Sequence, residues 1–350
     1  MTGAATPARG PGSGPERTAG PTLAGMRAAQ ARVAPDLIRT PLLRIPAPVP
    51  GFGAEPAELA LKLEFLQRTG TFKARGALNV LRTLDAEALR AGVTAVSAGN
   101  HAIAVAFAAR TVGVSAKVVM HRAADPARVA LCRTYGAEVV LADDIAAAFG
   151  EVARIRDEEG RTFVHPFDGV RTWEGTGTVG LELIEDLPQP PELVLVAIGG
   201  GGLMAGVGAA VRALAPEARI IGVEPTGADG MRRSLAAGAA LEWVEVDTVA
   251  DSLGAPMHTP GVVAAVAEVA HEIVTVDDDA LQAAVAGAYD AWRFALEPAA
   301  AAVLAALQGP LAERTRGRRV AAVLCGSNLS EDRFARFLAR GRAVASPDAA

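Results

Sequence analysis

The stretch "LVLVAIGGGGLMAGVGAAV", residues 193–211, carries no charged side chain over a length close to that of a membrane-spanning helix. Four consecutive glycines interrupt it: Gly199, Gly200, Gly201 and Gly202. A lipid-facing helix with such a run would pack poorly and lose backbone entropy. A buried strand, a glycine turn and a helix account for the same letters. The backbone N–H groups of the turn would then face an anion at a helix N-terminus.

The same alternation of strand and helix recurs along the chain. Short β-branched runs alternate with segments rich in Ala, Leu, Arg and Glu, and these runs cover residues 92–99, 115–121, 137–142, 192–199, 218–224 and 318–326. Apolar runs of this length are typical of parallel strands buried on both faces. We therefore predict an open α/β sheet with right-handed crossovers. A last helix is expected from about residue 331 to about residue 340.

Composition excludes several functional classes. The 350 residues are 51% hydrophobic, the net charge is −5, and no block of like charges could form an arm for nucleic acid or membrane. Cys132 and Cys325 are too few for a disulfide framework, and the N-terminus lacks a secretory pattern. We expect a cytoplasmic protein without nucleic-acid or membrane partners. Residues 1–21, rich in Pro, Gly, Ser and Thr, are expected to form a disordered tail.

Three of the predicted strands end in small, polar, turn-forming residues. They lead into "SAGNH" (97–101), "GGGG" (199–202) and "CGSN" (325–328). Ligands of open α/β sheets bind beyond the carboxyl ends of strands, so these segments are the candidate site. Each also has a simpler reading: Ser97 or Asn100 could cap the following helix, and His101 could be a structural histidine. Glu224, at the end of the next strand, keeps a nucleotide-binding reading open.

A lysine stands in an unusual context in "TGTFKARGALNV", residues 69–80. Lys73 follows Phe72 and precedes a run of small residues, which predicts a helix entered from a Thr/Gly turn. A lysine with a pKa of ~10.4 needs an apolar or cation-rich pocket to be neutral near pH 7, and this segment could supply an apolar one.

These motifs resemble those of a known enzyme family. From about Thr40 to Asn328 the sequence is similar to fold-type II pyridoxal-phosphate enzymes, within them to the serine/threonine dehydratase group that includes serine racemases. The motifs occur in the family's order: "TFKARGA", "SAGNHA", "HPFD", "GTGTVGLEL", "GGGGLMAG", "GVEP", "LEPAAAAVLAAL" and "CGSN". The resemblance implies two open, twisted, mostly parallel α/β domains with pyridoxal 5'-phosphate between them.

The resemblance implies a role for each cofactor-facing motif. Lys73 would form the Schiff base and later take the Cα proton, while Phe72 would lie against one face of the cofactor ring. Asn100 would bind the ring hydroxyl, and Gly199 to Gly202 would hold the phosphate. Glu297 would be either a group near the ring or a charge at a helix N-terminus.

Two further sets of residues follow from the resemblance. The loop that grips the substrate carboxylate would be Ser97, Ala98, Gly99, Asn100 and His101. The partner of the pyridine nitrogen would be Cys325, with Ser327 as the alternative. A neutral thiol or hydroxyl leaves charge less delocalised than an aspartate would, which favours departure of a β-substituent.

Two positions depart from the family pattern. Racemases of the family carry a second serine where this chain has Ala98, and a methyl group cannot handle a proton, so racemisation is disfavoured. The family's divalent-cation site would use Glu224, the carbonyl of Ala228 and an aspartate where this chain has Gly230. Asp229 could substitute, but oxygen ligation that lacks one carboxylate is weak, so no metal is predicted.

The resemblance implies β-elimination of L-threonine or L-serine to a 2-oxo acid and ammonia. Alternatives are another β-hydroxy amino acid, such as threo-3-hydroxyaspartate, or racemisation. An acidic substrate would need an extra basic residue, for which Arg75 and Arg171 are candidates. A cofactor-binding protein without catalytic activity and a nucleotide-dependent dehydrogenase are rivals from other classes. We expect a large domain of residues 22–87 and 169–345, a small mobile domain of residues 88–168, and a homodimer.

Overall fold

The computed structural model describes residues 20–47, 49, 55–97 and 99–345. Most of the predicted tail and Ala98 lie outside these residues, as does the end of the chain after residue 345. The described residues contain ten strands, which are β1 (Leu42–Pro46), β2 (Glu58–Lys62), β3 (Val93–Val96), β4 (Ala116–His121), β5 (Glu138–Ala142), β6 (Thr162–Phe163), β7 (Leu193–Ala197), β8 (Arg219–Pro225), β9 (Glu272–Val276) and β10 (Arg319–Val323).

Fourteen α-helices surround the strands in the same described ranges. They are α1 (Leu23–Val33), α2 (Lys73–Leu81), α3 (Ala86–Ala91), α4 (Asn100–Val112), α5 (Pro126–Thr134), α6 (Ile145–Glu159), α7 (Val170–Glu185), α8 (Gly202–Leu214), α9 (Gly230–Ala237), α10 (Pro260–Val269), α11 (Asp278–Trp292), α12 (Pro298–Gln308), α13 (Ala312–Thr315) and α14 (Glu331–Ala345). Short 3-10 turns cover Glu64–Leu66, Thr226–Ala228 and Asp251–Leu253.

The strands form two separate sheets. The larger sheet has the order β1-β2-β10-β7-β8-β9, and the smaller one has the order β5-β4-β3-β6. Every neighbouring pair is parallel except β1 and β2. Side chains on both faces of β3, β7 and β10 are buried, as continuous apolar runs predict. The mixed α/β prediction with mostly parallel sheets is confirmed.

Four strands were missed by the sequence analysis. β1 and β2 form the antiparallel edge of the larger sheet, and β6 is only two residues long. β9 reads Glu-Ile-Val-Thr-Val, a β-branched run typical of strands, so this strand could have been predicted although most of its residues are only partly buried. The last helix is longer than predicted, because α14 continues to Ala345.

The stretch that suggested a bilayer segment divides as predicted. β7, the glycine turn and α8 account for residues 193–211. In the part of the chain that the structure describes, no helix has both the length and the apolar character needed to cross a membrane.

Helix α7 packs against its neighbours without intervening side chains. A Cβ atom added to Gly175 would lie 2.6 Å from the backbone oxygen of Arg75 in α2. On the α8 side, a Cβ atom added to Gly206 would lie 2.5 Å from the backbone nitrogen of Gly177. The backbones of α2, α7 and α8 are therefore in direct contact, and α2 is the helix that begins at Lys73.

Candidate active site

One cavity of about 270 Å³ collects the strand ends that the sequence analysis singled out. It lies between the two sheets, beyond β3 on one side and beyond β7 and β10 on the other. The predicted site residues that line it are Phe72, Lys73, Ser97, Gly99, Asn100, His101, Gly199, Gly200, Gly201, Gly202, Glu297 and Cys325. Ser327 is not among the lining residues, and Ala98 lies outside the described part of the chain.

Lys73 is the first residue of α2, and its amine is buried in the cavity wall beside the Phe72 ring. Its Nζ donates a hydrogen bond of 2.6 Å to the carbonyl oxygen of Pro166 and lies 5.2 Å from the centroid of the Phe72 ring. Burial lowers the pKa of Lys73 to about 8, although charge on Cys325 and Glu297 acts in the opposite direction. A lysine with this pKa is partly neutral near pH 7 and can act as a nucleophile or base.

The entry into α2 is tied to the strand end that carries Cys325. The Phe72 N–H donates to the carbonyl of Cys325 at 3.2 Å. Gly70, just before, has a φ of +70°, and a Cβ atom there would lie 2.4 Å from Oδ1 of Asn328. The glycine in "TGTFK" is therefore required both by backbone conformation and by space.

The glycine turn leaves its backbone uncovered. Gly201 has a φ of +87°, which L side chains rarely adopt, and a Cβ atom on Gly200 would lie 2.1 Å from the Phe167 ring. Gly202 then begins α8, so free N–H groups and the positive end of the helix dipole meet at the cavity. Such a turn fits a phosphate group.

Asn100 is held by an amide and carboxylate network. Its Nδ2 donates to both carboxylate oxygens of Glu297, at 2.9 and 3.1 Å, and lies 3.3 Å from Oγ of Ser252. Its Oδ1 accepts a 2.8 Å hydrogen bond from Nδ2 of Asn328. Burial raises the pKa of Glu297 to about 7, against the charge of Arg128. The orientation of the Asn100 amide is thereby fixed before any ligand binds.

His101, in the cavity wall, is neutral near pH 7. The ring Nε2 of His101 lies 2.8 Å from the carbonyl of Val164, which can only accept, so Nε2 carries the proton. Burial lowers the pKa of His101 to about 3. The remaining ring nitrogen has no proton to donate to a carboxylate, so any carboxylate contact at His101 would come from its backbone N–H.

The strand end "CGSN" places only its cysteine in the cavity. Burial raises the pKa of the Cys325 thiol, which stays neutral. The Ser327 backbone N–H instead donates to the carbonyl of Gly70 at 3.0 Å. Of the two predicted partners for a ring nitrogen, the cavity therefore favours Cys325.

Neither of the two basic residues considered for an acidic substrate lines the cavity. Arg75 does not face the cavity, because it is buried between Glu64 and Glu182. Arg171 lies on the surface and pairs with Glu174 at 2.9 Å.

One charged residue of the cavity wall lies in a helix and has no motif that marks it in the sequence. Arg128, near the start of α5, lies in the cavity wall, and its Nη1 donates to Asp251 at 3.0 Å. Its Nε donates to the carbonyl of Asn328, also at 3.0 Å. These contacts join the smaller sheet to loops beside the larger one.

The division into domains at residues 88 and 168 stays a prediction, and so does the closure of the smaller domain over the substrate.

Comparison with known proteins decides the family. Residues 33–326 match the family described as "Pyridoxal-phosphate dependent enzyme". The chain belongs to this family. Pyridoxal 5'-phosphate is therefore its cofactor, and the fold-type II prediction is confirmed.

Members of the pyridoxal-phosphate dependent family with known names share most of the chain. A phenylserine dehydratase from Ralstonia pickettii is 50% identical over 294 residues, which are 84% of this chain and 88% of that protein. An L-threonine ammonia-lyase from Geobacter sulfurreducens is 38% identical over 287 residues, 81% of this chain and 70% of that protein. The structure of maize serine racemase matches with a TM-score of 0.84 and 32% identity, covering 92% of this chain and 98% of that one.

The residues present fit the family's cofactor. The glycine turn at the start of α8 offers N–H groups for the phosphate, Lys73 offers an amine for the aldehyde, and the Phe72 ring offers an apolar face. The chain is thus a pyridoxal-phosphate dependent enzyme related to dehydratases and racemases.

The lowered pKa of Lys73 predicts how the cofactor-free protein takes up pyridoxal 5'-phosphate. Only a neutral amine attacks an aldehyde, so the uptake rate should rise with pH and reach half its maximum near pH 8, the pKa of Lys73. Absorbance after rapid mixing at different pH values measures the rate, with Lys73→Ala as the control that shows no uptake by this route. A midpoint near pH 10.5, the ordinary pKa of a lysine, would show that burial does not lower the pKa of Lys73.

Proposed function

We propose that this enzyme dehydrates a β-hydroxy amino acid with a large apolar β-substituent, of the 3-phenylserine type, to the 2-oxo acid and ammonia. The observation that carries the proposal is the lining of the cavity by Phe149 and Met257. They are 36% and 38% exposed, which is high for large apolar side chains in a cavity wall. Exposed apolar side chains in a cavity wall are typical of a place that binds an apolar group.

The location of Phe149 supports a contact with the substrate side chain. Phe149 follows Ala148 in α6, and Ala148 packs in one hydrophobic cluster with Val96. Val96 comes directly before Ser97, the first residue of the loop proposed to bind the carboxylate. A substrate with its carboxylate at residues 97–101 would therefore have its β-substituent close to Ala148 and Phe149. The similarity to phenylserine dehydratase supports the same substrate type.

Lys73 accounts for the proton transfer at Cα. Pyridoxal 5'-phosphate, when bound, supplies an electron sink that makes the Cα–H bond of an amino acid labile. Lys73 takes the Cα proton as a neutral amine, and the β-hydroxyl leaves as water after gaining a proton. The resulting enamine regains a proton at Cβ and is hydrolysed. The net reaction converts one β-hydroxy amino acid to one 2-oxo acid and one ammonia.

Orientation comes from the network around Asn100 and from the loop at the start of α4. We infer that the backbone N–H groups of Asn100 and His101, at the N-terminus of α4, bind the substrate carboxylate. The Gly99 N–H already donates to Oγ of Ser97 at 3.1 Å. Cys325, as a neutral thiol, would donate a weak hydrogen bond to the unprotonated ring nitrogen, which then carries no positive charge. Elimination is then favoured over transfer of the amino group.

L-Threonine or L-serine is the second candidate substrate, supported by the L-threonine ammonia-lyases among the relatives. An acidic β-substituent has less support, because Arg75 and Arg171 are both outside the cavity and Arg128 is paired with Asp251. Racemisation stays disfavoured by the alanine at position 98. The homodimer and the cytoplasmic location stay predictions.

The substrate proposal predicts a large preference for the aromatic substrate. We expect kcat/KM for L-threo-3-phenylserine to exceed that for L-threonine by at least about 10-fold, since a well-fitted ring contributes roughly 1–3 kcal/mol. Phe149→Ala should lower kcat/KM for phenylserine by about 10-fold and leave that for threonine within about 2-fold. Leu66→Ala is the matched control, because Leu66 is another exposed apolar side chain, 46% exposed, that does not line the cavity.

The assay measures 2-oxo acid formation from each amino acid separately. If the unaltered enzyme prefers threonine, the second candidate replaces the first. If Phe149→Ala lowers both activities equally, Phe149 supports the fold of the site and not its specificity.

A further inference from the structure

His258 lies behind the glycine turn, outside the cavity, in the loop between the 3-10 turn Asp251–Leu253 and α10. It is 5% exposed. Its ring Nε2 lies 3.0 Å from the backbone oxygen of Gly199. Because a carbonyl oxygen only accepts hydrogen bonds, Nε2 carries the proton and donates it. His258 therefore holds the first peptide group of the turn from the side away from the cavity.

This hydrogen bond orients the next N–H group. The carbonyl of Gly199 and the N–H of Gly200 belong to one planar peptide unit and point in opposite directions. Fixing the carbonyl on His258 therefore directs the Gly200 N–H away from His258. Gly200 and Gly201 line the cavity, so the orientation of this peptide bears directly on the phosphate.

The surroundings of His258 coincide with the region where the family resemblance implies a divalent cation. Both oxygens of Glu224 already accept hydrogen bonds from backbone N–H groups at the start of α9, Met231 at 2.9 Å and Arg232 at 2.8 Å. The carboxylate of Asp229 pairs with Arg232. In the described ranges, no group of three or more acidic, histidine or cysteine side chains could hold a metal ion.

The His258 ring occupies the space next to Gly230 that a side chain at position 230 would need. A Cβ atom on Gly230 would lie 2.7 Å from Cε1 of His258 and 2.7 Å from a methyl group of Val244. The volume in which an aspartate side chain would begin is thus filled by the imidazole and the valine. The residues do not fit the cation that the resemblance implies.

We propose that His258 anchors the Gly199–Gly202 turn in place of a divalent cation, so that cofactor affinity and stability do not depend on added divalent metal. His258 is a positioning residue: it acts on the cofactor through the Gly199 peptide. The proposal holds for any amino-acid substrate, since its tests measure cofactor and cation binding and not turnover.

The first test measures the affinity of the cofactor-free protein for pyridoxal 5'-phosphate. His258→Leu removes the donor and should weaken binding by about 10-fold. His258→Gln retains an N–H donor at a similar distance and should stay within about 3-fold of the unaltered protein. The control is His271→Gln, because the ring Nδ1 of His271 accepts from the Ile220 N–H at 3.0 Å, far along the sheet from the turn.

The proposal is overturned if His258→Leu folds and binds the cofactor as tightly as the unaltered protein. It is also overturned if His258→Gln is as weak as His258→Leu, since the hydrogen bond would then not be responsible.

The second test needs no variant. The unfolding temperature of the holoenzyme is measured with a chelator and then with Mg²⁺, Ca²⁺ or Mn²⁺, and we expect changes below about 1 °C. A rise above about 3 °C with a saturating cation is the size that specific binding produces, and it would overturn the proposal.

Discussion

Lys73→Ala is expected to abolish turnover, with kcat at least about 1,000-fold lower and no stable attachment of the cofactor. The side chain supplies both the amine that holds the cofactor and the base for the Cα proton, and no other lysine lines the cavity. Its Nζ makes a single hydrogen bond within the described structure, to Pro166. The variant should therefore fold, and its unfolding temperature should stay close to that of the cofactor-free protein.

The chain offers a simple control for this experiment. It contains only three lysines, Lys62, Lys73 and Lys117. Lys62 is buried in an ion pair with Glu182, and Lys117 pairs with Glu159 near the surface, so Lys117→Ala should retain full activity. Borohydride reduction of the holoenzyme followed by peptide mass analysis locates the attachment site. A label on either of the other two lysines would contradict the assignment of Lys73.

Arg75→Ala is expected to give the largest loss of stability, about 3–5 kcal/mol in the free energy of unfolding. The guanidinium donates to Glu64 at 2.7 and 2.8 Å and to Glu182 at 2.7 and 2.9 Å, and its side chain is 1% exposed. Removing it leaves two buried carboxylates without their shared cation. Lys62, 2.8 Å from Glu182, compensates only part of the charge.

Urea unfolding of the holoenzyme, followed by circular dichroism, measures this loss. Arg171→Ala is the matched control, since Arg171 is 55% exposed and its pair with Glu174 should contribute less than about 1 kcal/mol. Arg75→Lys keeps the charge but loses the two-pronged geometry, so we expect an intermediate loss. Equal stability of Arg75→Ala and Arg171→Ala would show that the buried cluster is replaceable by solvent.

The fold was predictable where local pattern and tertiary environment agree. Strands buried on both faces, such as β7 and β10, are continuous apolar runs in the sequence. Four consecutive glycines after such a run predict a turn between a strand and a helix. β1 is an edge strand of the larger sheet with partly exposed residues, and its sequence lacks that signal. β9, at the other edge, carries a run of four β-branched residues, 273–276, that could have been recognised. The position of Lys73 was predictable from its motif, because the turn before it and the small residues after it are contiguous in sequence.

The remaining site residues could not be predicted from local sequence. Arg128 meets Asp251 and Asn328 across the cavity, and these two partners lie 123 and 200 residues further along the chain. Nothing in "DPARV" distinguishes this arginine from a solvated one. The one local signal for this network was Asn328, the last residue of the "CGSN" motif, whose amide donates to Asn100 and orients it.

The backbone contact between Gly175 and α2 has a consequence for laboratory evolution of this enzyme. A methyl group at Gly175 would push on the carbonyl of Arg75, two residues after Lys73, and would shift the reactive amine without touching the cavity. A mutant library that varies α7 to raise the unfolding temperature would therefore contain many inactive variants, although the varied positions of α7 lie outside the cavity. Diversity is better introduced where apolar side chains are exposed outside the cavity, as at Leu66.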